Sequence, residues 1–372
     1  MDNQINYRPT KAVIDLQAIE QNLNSLRQYL QPNVQIIAVV KANAYGHGDV
    51  EVARTAIQAG ATMLAVATPD EAVHMRTYFK EIDILVLGAT PPAFVPYAAR
   101  ENITLTVFSL QWMKQVQQYL PLTKQVKLHL KIDSGMGRIG ITTQEDLLAL
   151  YEAIASSNDF IVDGIFTHFA TADEEDTLYF DKQLSLFKEL LNVLPVRPRL
   201  VHVANTATAL VKDVSLQYDA VRFGISMYGL LPSSYVGDIL PFPIKPAFSL
   251  ETELVHVKKL KAGQSVGYGA TFTVDKDCYI GTIPIGYADG MIRKLSGQDV
   301  LVAGHRTKIV GRICMDQSMI LLPDAYNVGE RVVLIGREGQ EEITIDEWAT
   351  KLETINYEVP CVITARVPRV YK

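Results

Sequence analysis

The sequence IIAVVK, residues 36–41, joins five apolar residues to a lysine. Four of the five are β-branched, which favours a buried strand that ends at the lysine. Seven similar short runs follow, at Met63–Val66, Ile84–Leu87, Thr104–Val107, Val126–Ile132, Ile161–Thr167, Arg199–Val203 and Asp219–Arg222. We therefore predict eight strands in this part of the chain.

Segments with the apolar spacing of helices separate several of these runs, at Asp15–Leu30, Asp49–Ala59, Pro69–Lys80, Thr142–Ser156 and Glu174–Leu194. Alternation of strands and helices predicts parallel strands joined by crossover helices. Eight such units in about 200 to 250 residues match a (β/α)8 TIM-type barrel in number and size. A doubly wound open sheet is the alternative that the same pattern allows.

The pattern changes near Pro241, Pro243 and Pro246. Runs typical of strands follow, separated by turn sequences, at Phe248–Leu260, Tyr279–Ile285, Asp299–Val302, Lys308–Ile313, Met319–Leu322 and Arg331–Ile335. We predict one short helix among them, Asp346–Leu352. The chain thus divides into an α/β barrel domain over residues 1–242 and a mainly β domain over residues 243–372. The strand-like segment Tyr7–Ile14 is compatible with pairing in either domain.

Composition narrows the classes of partner and compartment. The net charge is −6, from 35 basic and 41 acidic residues, which gives no support to a nucleic-acid-binding surface. The three cysteines are far apart and form no CxxC pair, which argues against disulfides and a cysteine zinc site, and we predict no metal site. The polar N-terminal segment and the absence of a long apolar run indicate a cytoplasmic protein that does not bind membranes.

Polar side chains gather at the carboxyl ends of the predicted barrel strands, where (β/α)8 enzymes hold their active sites. Lys41 directly follows the first strand. Desolvation lowers the pKa of an amine and makes it nucleophilic, so this position suggests a Schiff base with a carbonyl substrate or pyridoxal phosphate. An ordinary solvated loop lysine is the alternative. The other polar or small residues at these ends are Asp133, Ser134, Gly135, Arg138, His168, Asn205, Thr206, Arg222, Gly224 and Ile225.

Two loops and one motif bear on phosphate binding. Phosphates often bind after strands seven and eight of such barrels, where this chain has Asn205-Thr206 and Gly224-Ile225. Helix capping by Asn205 or Thr206 is the simpler interpretation. The sequence GMGRIG, residues 135–140, matches the dinucleotide fingerprint G-x-G-x-x-G. It follows the fifth strand rather than the first, so we do not favour NAD binding.

Nine motifs carry a resemblance to a known family. They are VVKANAYGHG (39–48), KIDSGMGRIG (131–140), THFATAD (167–173), HVANTATAL (202–210), VRFGISMYG (221–229), SVGYGATF (265–272), GYADG (286–290), GRICMDQ (311–317) and INYEVPC (355–361). In these motifs, and over Tyr7–Val370, the sequence resembles the bacterial alanine racemases. The resemblance implies a pyridoxal-phosphate enzyme built from a (β/α)8 barrel and a β domain.

The resemblance also implies a two-base mechanism that passes through an external aldimine of cofactor and substrate. Lys41 would anchor the cofactor and then act as one base, with Tyr268 as the second base on the opposite face. Racemisation needs both, because one group removes the α-proton and another returns a proton on the other side. His168 is the family's partner for Tyr268. Arg222 would face the pyridine nitrogen, keep it unprotonated and so restrain side reactions such as transamination.

The remaining roles are implied in the same way. Arg138, assisted by the Met315 backbone, would bind the substrate carboxylate, and Lys131 stands where several family members carry a carbamylated lysine. Tyr268 and Met315 would come from the partner subunit of a homodimer with shared sites. The implied cofactor-binding residues are Lys41, Tyr45, His168, Asn205, Thr206, Arg222, Gly224, Ile225 and Tyr357.

The implied activity interconverts L-alanine and D-alanine and supplies D-alanine for peptidoglycan. A racemase for serine or another small amino acid is one alternative. A pyridoxal-phosphate-dependent decarboxylase is another, although GRICMDQ replaces the usual Cys-Glu-Ser-x-Asp motif of those enzymes. A non-catalytic pyridoxal-phosphate-binding protein would resemble the barrel alone, and here a second domain with Tyr268 follows.

Overall fold

The structure is a computed structural model that describes residues 6–372, and all eight runs predicted as barrel strands form strands within it. In chain order, the first to eighth barrel strands are Gln35–Val39, Met63–Val66, Asp83–Val86, Ile103–Val107, Val126–Lys131, Phe160–Phe166, Leu200–His202 and Ala220–Phe223. Their apolar side chains are almost entirely buried, as expected for parallel strands covered on both faces.

These strands form a near-closed barrel. Counted in chain order, they pair in parallel in the sequence 7-6-5-4-3-2-1-8 within the described part of the chain. Backbone hydrogen bonds join the ends of this row, because Asp219 N–H donates to the Val201 carbonyl (3.0 Å) and Arg222 N–H to the Ala204 carbonyl (2.9 Å). The predicted (β/α)8 barrel is confirmed, and the open-sheet alternative is wrong.

Helices separate the barrel strands. Up to residue 245 they are Leu16–Tyr29, Asp49–Gln58, Pro69–Tyr78, Val95–Glu101, Leu110–Val116, Gln144–Ala155, Leu178–Asn192, Thr206–Val211 and Ser234–Asp238. The five predicted helices are confirmed to within four residues, and the others were not predicted. Short 3₁₀ turns occur at Pro92–Phe94, Gln117–Tyr119, Val214–Gln217 and Ile225–Tyr228. Within residues 6–372, no helix is long and apolar enough to cross a membrane.

The structure divides into two units. The barrel unit comprises residues 18–44 and 49–245, and the β unit comprises the described residues up to 17 together with 45–48 and 246–372. Strands of the β unit are Lys11–Ile14, Phe248–Glu253, His256–Leu260, Ser265–Val266, Phe272–Thr273, Cys278–Ile283, Asp299–Val302, His305–Val310, Ser318–Leu322, Arg331–Glu338, Glu341–Ile343 and Arg369–Tyr371.

The strand Lys11–Ile14 belongs to the β unit, a choice that the sequence left open. It pairs antiparallel with Phe248–Glu253 and parallel with Arg369–Tyr371. The β unit also contains the helices Ile345–Leu352 and Glu358–Val362 among its described residues, so the prediction of a single helix there is wrong. Its 3₁₀ turns are Tyr268–Ala270, Tyr287–Asp289 and Arg293–Leu295.

A small apolar cluster in the β unit supports the turn that carries Tyr268. The strands Ser265–Val266 and Phe272–Thr273 form a hairpin around this turn. Val266 packs in a buried cluster with Leu260, Val274, Ile280 and Val310, and Phe272 lies against that cluster. The hairpin is therefore anchored at its base, while its tip is left to present Tyr268.

Candidate active site

Lys41 opens a strained turn at the carboxyl end of the first barrel strand. The next four residues, Ala42, Asn43, Ala44 and Tyr45, have φ angles of 52° or 53°. Consecutive residues of this kind form a left-handed helical turn, which costs roughly 1–2 kcal/mol for each residue other than glycine. Strain of this kind persists only where surrounding contacts enforce it, and it concentrates at functional sites.

Hydrogen bonds between side chains and backbone N–H groups link this turn to two helices. The Glu71 carboxylate accepts hydrogen bonds from the backbone N–H groups of Ala42 (2.7 Å) and Ala67 (2.6 Å). Asn43 Oδ1 accepts one from the N–H of Asp49 (3.0 Å), where the next helix begins. The start of the turn and its link to the next helix are thereby held, and Lys41 lies directly before the turn at the barrel rim.

Arg222 is buried within the eighth barrel strand, which extends one residue beyond the predicted end at Arg222. Its Nη1 donates to the carbonyl oxygen (2.5 Å) and Nδ1 (2.9 Å) of His202. Its Nη2 donates to the carbonyl oxygens of Thr167 (2.8 Å) and Val203 (3.0 Å). Burial lowers the pKa of Arg222 to about 9, so the guanidinium remains charged at neutral pH.

His168 lies among four cationic side chains. Burial and then the charges of Arg222, Lys131, Arg138 and Lys41 hold the pKa of His168 well below its ordinary value, so its imidazole is neutral. Burial and the two arginines likewise lower the pKa of the Lys131 amine. The carboxyl ends of the barrel strands therefore form a positively charged region, which suits an anionic ligand.

The GMGRIG segment forms a loop that returns to the fifth barrel strand. Asp133 Oδ1 accepts hydrogen bonds from the N–H groups of Gly135 and Gly137, both at 3.0 Å. Ile141 N–H then donates to the Lys131 carbonyl (2.9 Å), and the next helix begins only at Gln144. The motif thus lacks the direct strand–turn–helix context of a dinucleotide site, and its loop carries the exposed Arg138.

The loops after the seventh and eighth strands contact each other. Asn205 caps the short helix that follows it, because its Oδ1 accepts from the N–H (3.0 Å) and hydroxyl (2.9 Å) of Thr208. Thr206 Oγ1 accepts from the N–H of Gly224 (3.0 Å), and Ile225 follows at the start of a 3₁₀ turn. Asn205 thus has the capping role that the sequence analysis considered, and Thr206 and Gly224 come together.

The β unit presents two of the predicted residues on its surface. Tyr268 is 71% exposed and Met315 is 53% exposed. Tyr45 and Tyr357 lie together in this unit, with ring centroids 6.1 Å apart. Burial and the neighbouring Tyr357 raise the pKa of the Tyr45 phenol, which keeps it protonated.

Four polar residues that support this region, Glu71, His129, Asp163 and His202, were not predicted from the sequence. A signal for His129 was present in VKLHLK, residues 126–131, because polar residues at every second position of a strand share one face. The spacing of Thr68 and Glu71 is that of a capping box, which the structure contains. That spacing predicts the start of the helix. The contact of Glu71 with the turn after Lys41 could not be predicted, because it depends on the tertiary fold.

Comparison with known proteins covers both parts of the chain. The family model of the alanine racemase N-terminal domain matches residues 14–232, and the model of the alanine racemase C-terminal domain matches residues 247–371. The chain belongs to the alanine racemase family. It is therefore an enzyme of the racemase class, an isomerase.

Individual alanine racemases agree with this membership. The chain is 50% identical over 367 residues to the alanine racemase of Anoxybacillus flavithermus, covering 98% of this chain and 95% of that protein. The solved alanine racemase of E. faecalis is 45% identical, with a TM-score of 0.95 over 98% of this chain and 99% of that one. A solved histidine racemase from Leuconostoc mesenteroides is 36% identical, with a TM-score of 0.92 over 99% of each chain.

Proposed function

We propose that this protein interconverts L-alanine and D-alanine with pyridoxal phosphate as its cofactor. The observation that carries the proposal is the cluster of cationic groups beside Lys41 in a chain of the alanine racemase family. The cofactor brings a phosphate and the substrate brings a carboxylate, and such a cluster attracts both.

The chemistry of the residues fits this cofactor. Lys41 supplies a primary amine for an imine bond, Thr206 supplies a hydroxyl, and the protonated Tyr45 phenol can donate to a phosphate oxygen. When bound, the cofactor withdraws electrons from the substrate α-carbon and makes its proton acidic. We assign cofactor binding to Lys41, Tyr45, His168, Asn205, Thr206, Arg222, Gly224, Ile225 and Tyr357.

Lys41 and Tyr268 move the protons. The Lys41 amine removes or returns a proton at the α-carbon on one face, and the Tyr268 phenol group does so on the other. His168 is kept neutral by burial and by the surrounding cations, so its imidazole can accept a hydrogen bond from Tyr268. Arg138 holds the substrate carboxylate, with the Met315 backbone assisting.

Lys131 carries a carbamate in this proposal. The lowered pKa of its buried amine favours the neutral, nucleophilic form. The neutral amine nitrogen bonds to the carbon of carbon dioxide and releases one proton, which leaves a carbamate anion in place of a neutral amine. That anion offsets the repulsion between the arginines acting on Lys131 and orients Arg138 toward the substrate.

Each site takes Tyr268 and Met315 from the partner subunit of a homodimer. Both side chains are exposed in their own chain, and Tyr287 and Ile355 of the same unit are also exposed (43% and 62%). Tyr287 and Met315 lie close together, because Ala288 N–H donates to the Met315 carbonyl (3.0 Å), and adjoining exposed apolar side chains are typical of a protein interface. From the family, we infer that the D-alanine produced supplies peptidoglycan synthesis. We also assign the reaction to the cytoplasm.

Formation of D-alanine from L-alanine by the purified protein tests the proposal. We expect conversion that depends on pyridoxal phosphate and disappears in Lys41→Ala, because that variant has no amine to anchor the cofactor or return the proton. Lys127→Ala is the matched control, since Lys127 pairs with Asp83 within the barrel (3.0 Å) and should be dispensable for the chemistry. An active Lys41→Ala variant, or a wild-type protein that leaves L-alanine unchanged, would contradict the proposal.

The likeness to a histidine racemase makes the choice of substrate a second question. L-Serine and L-histidine should be assayed beside L-alanine at equal concentrations. We expect alanine to react fastest, although discrimination on one small group amounts to only about 1–3 kcal/mol. Faster racemisation of histidine would retain the reaction type and replace the substrate.

A further inference from the structure

Four buried polar side chains form a row through the barrel, from Arg222 through His202 and His129 to Asp163. Arg222 Nη1 lies 2.9 Å from His202 Nδ1, and His202 Nε2 lies 2.8 Å from His129 Nδ1. His129 Nε2 lies 3.5 Å from Asp163 Oδ2. The Asp163 carboxylate also accepts two hydrogen bonds from Arg199, at 2.8 and 2.7 Å. We call these four residues, without Arg199, the polar row.

One arrangement of protons fits the contacts of the polar row, in which His129 Nε2 lies at ion-pair distance from Asp163 and makes no hydrogen bond within the described chain. A guanidinium only donates, so His202 Nδ1 must accept and the ring proton of His202 lies on Nε2. That N–H donates to His129 Nδ1, which places the His129 proton on Nε2, facing the Asp163 carboxylate. Burial lowers the pKa of both imidazoles, so each carries a single ring proton. The Arg222 guanidinium at one end of the row and the Asp163 carboxylate at the other thus favour the same tautomer of both histidines.

Local backbone geometry builds the carboxylate end of the row. Leu128 pairs with Val162 and His129 pairs with Gly164, so Asp163 is the additional residue of a β-bulge. A Cβ on Gly164 would lie 2.7 Å from three atoms of the His129 ring, so only glycine leaves room for this imidazole. The bulge and the glycine together bring the Asp163 carboxylate and the His129 ring face to face.

The other end of the row reaches the candidate active site. Phe166 stacks on His202, with centroids 4.7 Å apart and an interplanar angle of 10°, which fixes the plane of that ring. Arg222 Nη2 lies 3.5 Å from Nδ1 of His168, the imidazole that lies among basic side chains at the carboxyl ends of the barrel strands. The row therefore links Asp163, which is buried in the barrel wall, to the guanidinium at the site.

We propose that His129 and Asp163 are positioning residues that hold His202 as its Nε2-protonated tautomer, so that His202 Nδ1 accepts from Arg222 and fixes the guanidinium. This inference rests on the proposed function for its effect on catalysis, where Arg222 faces the cofactor ring. Without the Asp163 carboxylate, His202 can take its other tautomer. Its Nδ1–H then opposes an N–H of Arg222, so the guanidinium loses this contact and is held by its three carbonyl contacts alone.

Nitrogen NMR of the histidine rings tests the proposal, because a ring nitrogen resonates differently with and without its proton. The full-length protein labelled with ¹⁵N-histidine is measured as purified and after loading with pyridoxal phosphate, with His129→Gln and His202→Gln to assign the signals. Asp163→Asn is the test variant. Asp159→Asn is the matched control, because Asp159 is a carboxylate next to the sixth barrel strand that accepts from the N–H of Leu122 (2.7 Å) outside the row.

We expect wild-type His129 and His202 to be protonated on Nε2, and we expect Asp163→Asn to give His202 a population protonated on Nδ1. The same variant should lower kcat about 10-fold with little change in KM and raise the number of transaminations per racemisation, since it displaces a group that acts through Arg222. Asp159→Asn should leave the spectra, kcat and this ratio unchanged.

Two results would overturn the proposal. One is wild-type His202 protonated on Nδ1, or a His202 spectrum that Asp163→Asn does not alter. The other is an altered spectrum with unaltered kcat and transamination ratio, which would make the polar row purely structural. A wild-type protein without racemase activity would instead overturn the proposed function, and the spectra would still decide the tautomers.

Discussion

Arg222 and Lys131 show that, at the scale of single residues, the candidate site holds basic groups away from water. They are 4% and 3% exposed, and the hydrogen bonds of Arg222 within the described chain end on carbonyl oxygens and imidazole nitrogens. Buried cations without a paired anion are costly, so such groups are retained where a ligand or a modification brings negative charge. The cost of burying such a cation, which an anionic ligand would offset, is the physical basis of the proposed anion binding.

The buried histidines predict an acid-sensitive fold. The pKa values of His129, His168 and His202 are lowered, chiefly by burial, so the folded chain leaves these rings neutral. The unfolded chain takes up the three protons as the pH falls below about 6.5, and stability therefore falls with pH, by up to roughly 4 kcal/mol per pH unit for three fully shifted groups.

Urea unfolding between pH 8 and pH 5, at one protein concentration, measures this dependence. We expect the free energy of unfolding to fall more steeply with decreasing pH below about 6.5 than above it. An equal slope on both sides would show that these imidazoles become protonated in the folded protein.

Single residues were only partly predictable from the sequence. Lys41, His168 and Arg222 stand out because charged or titratable groups rarely follow apolar runs directly. Their mutual proximity was not predictable, because it depends on how the eight strands are staggered around the barrel. Asp163 was hidden for a second reason, since a β-bulge shifts the alternation of inward and outward positions that a sequence pattern assumes.

At the scale of elements, the left-handed turn after Lys41 is the feature that the sequence concealed. Local preferences for Ala-Asn-Ala-Tyr favour negative φ, and only Asn adopts positive φ readily. Glu71 binds the N–H of Ala42 at the start of the turn, and Asn43 binds the N–H of Asp49 beyond it, and these contacts hold the turn in place. By contrast, the barrel strands and the long helices were predictable because their apolar periodicity is strong.

Glu71→Ala should release this turn and weaken cofactor binding. The carboxylate accepts from Ala42 N–H at 2.7 Å, and losing one hydrogen bond to a charged acceptor corresponds to about a 10-fold rise in the Kd of pyridoxal phosphate. Titration of the apoprotein with the cofactor, followed by absorbance, gives this constant.

Thr68→Ala is the matched control for that variant. Thr68 Oγ1 caps the same helix by accepting from Glu71 N–H (3.3 Å), so its loss should lower stability by about 0.5–2 kcal/mol. It leaves the Glu71 contact with Ala42 in place and should not change the Kd. Equal effects of the two variants on the Kd would show that helix stability, and not the turn, controls cofactor binding.

At the scale of the whole molecule, the presence of two different architectures could be predicted better than which segments belong to each unit. The change from alternating helices and strands to closely spaced strands marks the second architecture in the sequence. The strand Lys11–Ile14 could not be assigned to a unit, because its partners Phe248–Glu253 and Arg369–Tyr371 are far from it along the chain. Pairing between distant segments is a tertiary choice that local pattern does not encode.

We propose that Lys41 of one subunit and Tyr268 of its partner act on the same substrate. Hybrid dimers test this proposal most directly. Lys41→Ala and Tyr268→Phe homodimers should each be nearly inactive, since every site lacks one base. Mixed by reversible dissociation in equal amounts, they should recover about a quarter of wild-type activity per chain, because half of the dimers pair unlike chains and each of those has one intact site. A mixture no more active than the two separate variants would contradict the claim.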